Sequence, residues 1–340
     1  MSAFEFDWTE LFREMDITLE LRILPWSASE AEFVAVSNKY ETQVRVLSGF
    51  NRIIYGPTQD AVALFTDALS FDPSCVHAFL GRAWVYELMY SYEHAYKDYD
   101  RAVQFDPRCV IGLCGRGRTG LALGQTHAIL DDYAKAISLA PTHSAPYNSL
   151  ANTRTVMGDT DGALTAYNKA INLARSDRER AGVVLNRGVL RYLQGLWERA
   201  AADLRKGIGL CDDLPCWSRF LLWHCYARKG ERSKGDVTLN AYLSSLERKL
   251  KGEKLDGFVA LGGLLLGKVS EKTTLSLLDM HEPVCTQERH CEAHFHLGSL
   301  ALLNGSVGGA RKHFRKCLDT KFSMAPEYVC ARAELSRLGK

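Results

Sequence analysis

Hydrophobic and polar positions along the chain follow one phrase that returns every 34 residues. Its clearest copies read ALFTDALSFDP, AYKDYDRAVQFDP and ILDDYAKAISLAP, and they end at Pro73, Pro107 and Pro141. Alanines and an aromatic residue stand at fixed offsets before each proline. A repeat of this length is typical of helical hairpins that stack side by side, so the pattern predicts pairs of antiparallel helices, A and B.

Taking the proline as position 32 extends the pattern over most of the chain. Position 15 is glycine in six units, position 20 is alanine in five, and position 24 is Phe or Tyr in five. Small residues at positions 8 and 20 let the two helices approach, the aromatic residue fills the space behind them, and the glycine supplies the turn. The predicted units are 42–75, 76–109, 110–143, 144–177, 181–214, 216–249 and 291–324, of which the first and sixth are degenerate.

Segments outside this period predict further helices. The apolar stretches FVALGGLLLG and SEKTTLSLLDM indicate a two-helix insertion, whose second helix is capped by Ser270. The stretch APEYVCARAELSRLG predicts an amphipathic helix that covers the apolar flank of the last repeat. Residues 7–24 look helical, Pro25 interrupts them, and a second helix starts near Ser29. The predicted division is 1–41, an N-terminal helical segment; 42–249, six repeat units; 250–290, the insertion; 291–324, the seventh unit; and 325–340, a C-terminal capping helix.

The period and its landmarks resemble the tetratricopeptide repeat (TPR). The resemblance implies an all-α fold, an α-solenoid in which helix hairpins form a right-handed superhelix. Within the TPR proteins, the layout is similar to the bacterial new-lipoprotein-I (NlpI-type) adaptors. The phrases that carry this likeness are MDITLELRILPWS, LNRGVLRYLQG, LLWHCYARKG, LLLGKVSEKTTLSLL, HFHLGSLALLNG and EYVCARAELSRLG. It implies a homodimer that docks proteases and cell-wall hydrolases and has no catalytic activity of its own. The N-terminal residues as given match neither a signal peptide nor a lipid-attachment cysteine, so we expect this chain to differ from the family in these two features.

The superhelix implies a concave groove lined by positions 2, 5, 9 and 12 of the A helices. Asparagines there can hydrogen-bond to the backbone of an extended peptide, and aromatic residues offer apolar anchors. Binding of a C-terminal carboxylate is not expected, because Asn148 and Trp217 stand where carboxylate-clamp TPR proteins need basic residues. The alternative for each position is an ordinary solvated surface residue. The predicted groove residues are His77, Trp84, Glu87, Arg118, Asn148, Asn152, Asn186 and Tyr192.

Arginine at position 7 and aspartate at position 23 occur together or are absent together. Such joint occurrence predicts an ion pair that joins helix A to helix B, because a buried charge without its partner is costly. We therefore interpret these residues as structural and not as ligand-binding. The predicted pairs are Arg82 with Asp98, Arg116 with Asp132, and Arg187 with Asp203.

Two motifs suggest chemistry that their context does not favour. Gly115, Gly117 and Gly120 match a dinucleotide-binding fingerprint, but they fall inside a predicted helix A with no strand before them. The segment RHCEAHFH could bring His290, Cys291, His294 and His296 together, with Cys285 nearby, to bind metal. No second ligand pair at zinc-like spacing accompanies it, so we predict neither a metal nor any other cofactor.

Charge and composition narrow the function classes. The net charge of +2 gives no field to attract nucleic acid or an anionic membrane. No apolar stretch is long enough to span a bilayer, and the ten cysteines favour free thiols in a reducing compartment, so we expect a cytoplasmic protein. The apolar N-terminal residues Phe4, Trp8, Leu11 and Phe12 suggest a homodimer that would bury them.

The sequence therefore predicts a non-enzymatic adaptor or scaffold that binds a protein or peptide in its TPR groove. The alternative is a structural subunit built permanently into a larger assembly. A more remote alternative is a metal sensor or an enzyme that uses the Cys/His cluster at 285–296. An enzyme is not favoured, because no serine or cysteine stands on the strained turn that would display a nucleophile.

Overall fold

The described part of the structure is entirely helical apart from its turns. The computed structural model describes residues 38–39, 41–50, 58–125, 128–211, 217–250, 257–278, 283–321 and 325–339, and these ranges contain no strand. The predicted N-terminal helices, at 7–24 and from Ser29, lie outside the described residues, as do Phe4, Trp8, Leu11 and Phe12. The helices are α1 (41–50), α2 (Thr58–Phe71), α3 (Val76–Leu88), α4 (Tyr92–Phe105), α5 (Val110–Ala122), α6 (Ile129–Leu139), α7 (Ser144–Met157), α8 (Thr160–Leu173), α9 (Asp177–Leu193), α10 (Trp197–Leu210), α11 (Trp217–Arg228), α12 (Arg232–Leu250), α13 (Gly257–Leu265), α14 (Glu271–Leu278), α15 (Pro283–Leu303), α16 (Val307–Asp319) and α17 (Pro326–Arg337).

Tight turns separate the two helices of each hairpin. Glycine at position 15 has a positive φ of 73° to 83° in five turns, from Gly124 to Gly305. Only glycine adopts this left-handed conformation without a steric cost, which explains its recurrence at this position. In the hairpin of α3 and α4 the same position is Tyr90, with φ of 58°.

The landmark side chains form the core between helices A and B. Alanine at position 20 has no exposed surface in any of the five described repeats that carry it, and the aromatic residue at position 24 is at most 2% exposed. The small alanine lets the helices approach closely, and the ring fills the space that opens beside it. The core residues are Ala61, Ala95, Ala163, Ala200, Ala310, Phe65, Tyr99, Tyr133, Tyr167 and Phe314.

The described chain divides into two compact units, one ending at Thr153 and the other beginning at Arg154. We call them the N-terminal unit and the C-terminal unit. Helices α1 to α6 belong to the N-terminal unit, and helices α8 to α17 to the C-terminal unit, while the division falls within α7.

The C-terminal unit contains α13 and α14, which lie within the range 250–290 predicted for the insertion, and α17 near its C-terminal end. The next helix, α15, begins at Pro283, inside that predicted range. Ser270 caps α14, as predicted, by accepting a hydrogen bond from the backbone N–H of Thr273 at 3.1 Å. Leu261 and Leu265 of α13 are buried in a cluster with Leu243 of α12 and Ala293 of α15. In the described ranges, no helix has both the length and the apolar character required to cross a membrane.

Candidate functional site

In the N-terminal unit, the predicted groove residues lie on α3, α5 and α7 and keep some surface. His77 is exposed, and Trp84, Asn148 and Asn152 are half-buried. A half-buried asparagine or aromatic side chain can contact a ligand with its exposed part while the rest of it stays packed against the protein. These four residues therefore offer a partner a mixed apolar and amide surface.

Glu87 and Arg118 hold each other across two repeats. The Nε and Nη2 atoms of Arg118 on α5 donate to the two carboxylate oxygens of Glu87 on α3 at 2.7 and 2.5 Å. The hydroxyl of Tyr99 on α4 donates to the same carboxylate at 2.6 Å. Burial, and then the charge of Glu87, raise the pKa of Tyr99 well above its ordinary value, so this hydroxyl stays a donor. A partner that reaches this point therefore meets a neutralised pair and no free charge.

A pocket of about 630 Å³ opens at the N-terminal ends of α3 and α5, beside His77. Leu80 contributes apolar surface and Arg108 a basic group. Asp72 and Asp106 also line it, and each accepts the backbone N–H of the residue two positions later at 2.9 Å. The repeated FDP motif thus supplies an aspartate that shapes the turn at the edge of the pocket. Charges of both signs around an apolar floor fit an extended peptide better than a strongly charged ligand.

The structure contradicts the prediction for Tyr192, which lies in the C-terminal unit. Tyr192 is only 1% exposed, and its ring packs edge-on against Trp197 at 4.8 Å and Phe295 at 6.3 Å between centroids. Asn186 on the same helix is 7% exposed. The physical reason is that α9 is covered by α17, while α15 supplies Phe295. Tyr192 is therefore a core residue and no anchor for a partner.

The next A helix of this unit, α11, is covered in the same way. All residues of 217–227 are buried. The Nε2 atom of His224 lies 2.8 Å from Nδ1 of His296 on α15. The ring of Phe220 packs edge-on against the ring of His296, at 5.3 Å between centroids. In the C-terminal unit the predicted open wall is thus filled by the chain's own helices, which corrects the prediction of a groove that continues through Asn186 to Tyr192.

The structure brings each predicted arginine against its aspartate. In all three pairs Nε and Nη2 donate to the two carboxylate oxygens at 2.6 to 2.9 Å, and the aspartates are buried. The remaining nitrogen, Nη1, reaches position 25 of the preceding repeat, a contact that sequence reasoning missed although that position is polar each time. The pairs are Arg82 with Asp98, Arg116 with Asp132 and Arg187 with Asp203; the additional acceptors are Thr66 at 3.0 Å, Asp100 at 2.7 Å and Asn168 at 2.6 Å.

The three glycines of the fingerprint serve close packing inside α5. A Cβ atom on Gly115 would lie 2.5 Å from the ring of Tyr99, and one on Gly117 would lie 2.8 Å from the ring of Tyr133. All three glycines are buried, and Gly120 faces Tyr96. A phosphate-binding loop needs its glycines on a turn that exposes the backbone, so this arrangement explains their presence without a nucleotide.

The side chains of the Cys/His cluster turn to different neighbours. The sulfur of Cys291 lies 3.3 Å from that of Cys317, and Nδ1 of His294 lies 3.3 Å from Nδ1 of His313. His296 pairs with His224 as described above. Cys285 lies where side chains are not described. Among the side chains that are described, no group of three or more His, Cys, Asp or Glu is arranged to hold a metal ion.

Comparison with known proteins places the fold. No protein-family model and no curated protein sequence matches the chain. A solved tetratricopeptide repeat protein from Parabacteroides merdae is similar in structure over 86% of this chain and 98% of its own, with 11% identity and a TM-score of 0.50. A chain of the APC/C hetero-tetramer Cut9-Hcn1 is similar over 90% of this chain and 48% of its own, with 14% identity and a TM-score of 0.50. PilW, a type IV pilus biogenesis factor, is similar over 64% of this chain and 96% of its own, with 17% identity and a TM-score of 0.51.

At such low identities the likeness concerns the fold alone. It agrees with the helical hairpins, the position-15 glycines and the core landmarks found here. The chain is an all-α solenoid of the tetratricopeptide-repeat type.

Proposed function

We propose that the chain is a non-enzymatic adaptor that binds a protein or peptide on the inner wall of its N-terminal unit. One observation carries the proposal. The predicted wall residues of this unit, His77, Trp84, Asn148 and Asn152, keep exposed or half-exposed side chains, whereas the equivalent wall of the C-terminal unit is buried by its own helices. Solenoids of this type use such an open wall to bind extended ligands.

The wall favours a segment with apolar side chains and no strong net charge. Glu87 and Arg118 neutralise each other, and the pocket beside His77 combines basic and acidic groups with apolar ones. Asn148 offers an amide that suits a peptide backbone of any sequence. Trp84 is the proposed anchor, since tryptophan is often responsible for a large share of binding energy at interfaces.

The test compares two triple variants in a quantitative pull-down. In the first, His77, Trp84 and Asn152 are changed to alanine. In the matched control, three exposed residues on B helices, Lys97, Leu130 and Lys135, are changed instead. We expect the first variant to capture at least tenfold less partner than the unchanged protein, and the control to capture the same amount. Both variants should have melting temperatures within a few degrees of that of the unchanged protein. Equal capture by both variants would refute the proposal.

A structural subunit is the second candidate, because one of the similar structures is a chain of the APC/C hetero-tetramer Cut9-Hcn1. A permanent subunit should purify from its own cells in a fixed ratio with one complex, and the change of His77, Trp84 and Asn152 should leave that ratio intact. An adaptor should instead show variable occupancy that those changes abolish.

A role like that of the NlpI-type adaptors, including a homodimer, is a finer proposal supported only by the sequence phrases. It requires Trp8 and its apolar neighbours to lie in an interface. Sedimentation at micromolar concentration should then show a dimer that Trp8→Glu converts to a monomer. A monomeric parent protein would exclude the homodimer.

We also propose a reducing, cytoplasmic location. Of the ten cysteines, the eight whose side chains the structure describes are free, and five of these are buried. Alkylation of all cysteines in protein trapped at cell lysis, measured by mass, would support this location. Disulfides found at that step would contradict it.

A further inference from the structure

Helix α17 has an unusual buried face. The residues it buries are Glu327, Cys330, Ala331 and Glu334, at the i, i+3, i+4, i+7 spacing of one helix stripe. A helix that is a permanent part of a core normally has large apolar residues at such positions, because burying a carboxylate is costly unless it is paired. Two of these four residues are acidic, and the other two are small. The face therefore gains little from the hydrophobic effect.

One end of α17 is held by charge and hydrogen bonds to the wall of the C-terminal unit. Glu334 is 1% exposed, and its carboxylate accepts bonds from Arg228 of α11 at 3.0 Å and from Arg337 at 2.8 Å. The guanidinium groups of both arginines lie over the ring of Trp197, at 4.8 and 5.1 Å from its centroid. This end of the helix is recognised by specific groups.

Arg337 also binds the C-terminal end of the A helix α9. It donates to the backbone carbonyls of Tyr192, at 3.0 Å, and of Leu193. These carbonyls belong to the last turn of α9, where a cation is favoured. The carbonyl of Tyr192 also accepts the backbone N–H of Gly195 at 2.9 Å. Glu334 and Arg337 thus use a cation, an aromatic ring and a helix end that the wall itself provides.

The other end of α17 is poorly matched to its surroundings. Glu327 is buried near Glu292 of α15, which is also buried, so two acidic groups approach each other. Burial raises the pKa of Glu327 to about 7, and Glu288 adds to this. At neutral pH, part of the population has to bury a charge here, which weakens the seating of the helix.

We propose that α17 is a displaceable occupant of the C-terminal unit's wall, and that this wall accepts from another protein a helix with small residues followed by Glu-x-x-Arg, as in Cys330-Ala331-x-x-Glu334-x-x-Arg337. The wall lies in a different unit from the one proposed above as the adaptor surface, so this inference stands independently of that function. A partner helix with the same chemistry would replace α17 and meet Arg228, Trp197 and the end of α9 in its place.

The experiment uses the full chain with a site-specific protease sequence in place of residues 322–324. The protein is folded, cut and mixed with a fluorescent peptide of residues 325–340. We expect the peptide to exchange into the cut protein and to bind in the micromolar range, while the uncut protein binds at least tenfold more weakly. The cut protein should keep its helical circular dichroism.

Matched variants test the recognition itself. Glu334→Gln and Arg337→Ala in the peptide, and Arg228→Met in the protein, should each weaken binding at least tenfold. Ser336→Ala changes an exposed residue and should leave the affinity unchanged. The inference fails if the peptide does not exchange in large excess, if the cut protein unfolds, or if the Glu334 and Arg337 variants bind as well as the Ser336 variant.

Discussion

Arg116 on α5 holds Asp132 on α6 through two parallel hydrogen bonds of 2.9 and 2.6 Å. Its third nitrogen donates to Asp100 of the preceding repeat at 2.7 Å. One guanidinium therefore joins three helices, and the planar fork of arginine suits this task where lysine would not. The same arrangement at Arg82 and Arg187 makes it a repeated device that sets how one hairpin stacks on the next.

Removing the aspartate of one of these ion pairs should lower the free energy of unfolding most where the arginines it leaves behind have no other acidic partner. Asp203 is 3% exposed and binds both Arg187 and Arg191, the latter at 2.7 Å. Asp203→Ala should therefore lower the free energy of unfolding by about 3–5 kcal/mol, the range for breaking a buried ion pair. Asp132→Ala should cost less, about 1.5–3 kcal/mol, because Arg116 keeps Asp100. Urea denaturation of both variants measures the difference, and an equal or reversed order would contradict it.

A double variant provides the control. Replacing Arg116 and Asp132 together with leucine removes the charge as well as its partner, so the loss should be smaller than for Asp132→Ala alone. If the double variant is at least as unstable as the single one, the pair contributes through something other than charge balance.

Local features of this fold could be predicted from the sequence, whereas contacts between distant helices could not. The period gave the position of Tyr133 in the core and the pairing of Arg82 with Asp98, because both depend on helices that are neighbours in the chain. The burial of Tyr192 depends on Phe295 and Arg337, which lie more than 100 residues away along the chain. Nothing in the repeat pattern specifies that α15 and α17 cover α9 and α11.

The candidate site was predicted in part for the same reason. His77 and Asn152 keep surface because only neighbouring hairpins surround them in the described N-terminal unit. The repeat pattern predicts Glu87 and Arg118 as separate groove residues, because it indicates that both face the groove but not that their side chains form an ion pair. The contact from Arg116 to Asp100 could have been found by comparing position 25 across the repeats.

Adding one methyl group to the glycine-rich helix α5 should destabilise the protein. A Cβ on Gly115 would lie 2.5 Å from the ring of Tyr99, which is itself packed in the core. Gly115→Ala should therefore cost about 1–3 kcal/mol, as overpacking usually does. Gly209→Ala is the control, because Gly209 is exposed on α10 with no atom within 4 Å of the added group. It should gain up to about 1 kcal/mol from helix propensity. Thermal unfolding that shifts in the same direction for both would refute this account of the fingerprint.

The turn at Tyr90 should respond in the opposite way to its equivalents. Tyr90 has φ of 58° where five other turns have glycine, and a side chain in this region costs about 1–2 kcal/mol. Tyr90→Gly should raise the free energy of unfolding by about 0.5–1 kcal/mol, the rest being offset by the entropy of glycine in the unfolded chain. Gly158→Ala, with φ of 83° and open space around it, should lower it by about 1 kcal/mol. Two variants that shift the melting temperature in the same direction would show that backbone strain does not decide this position.

The pH dependence of stability should separate two opposing groups in the C-terminal unit. Burial, with His313 nearby, lowers the pKa of His294 to about 4, so between pH 6.5 and 4 the unfolded chain binds more protons and acid destabilises the fold. Burial raises the pKa of Glu327 to about 7, so between pH 7 and 4.5 the folded chain binds more protons and acid stabilises the fold. Lowering the pH from 7 to 5 should therefore change the free energy of unfolding by about 2 kcal/mol through each group, with opposite signs.

His294→Gln should lose less stability than the unchanged protein over this interval, and Glu327→Gln should lose more. Denaturant titrations at pH 5, 6 and 7 measure both slopes, and parallel slopes for the two variants would show that neither side chain is buried as the structure describes.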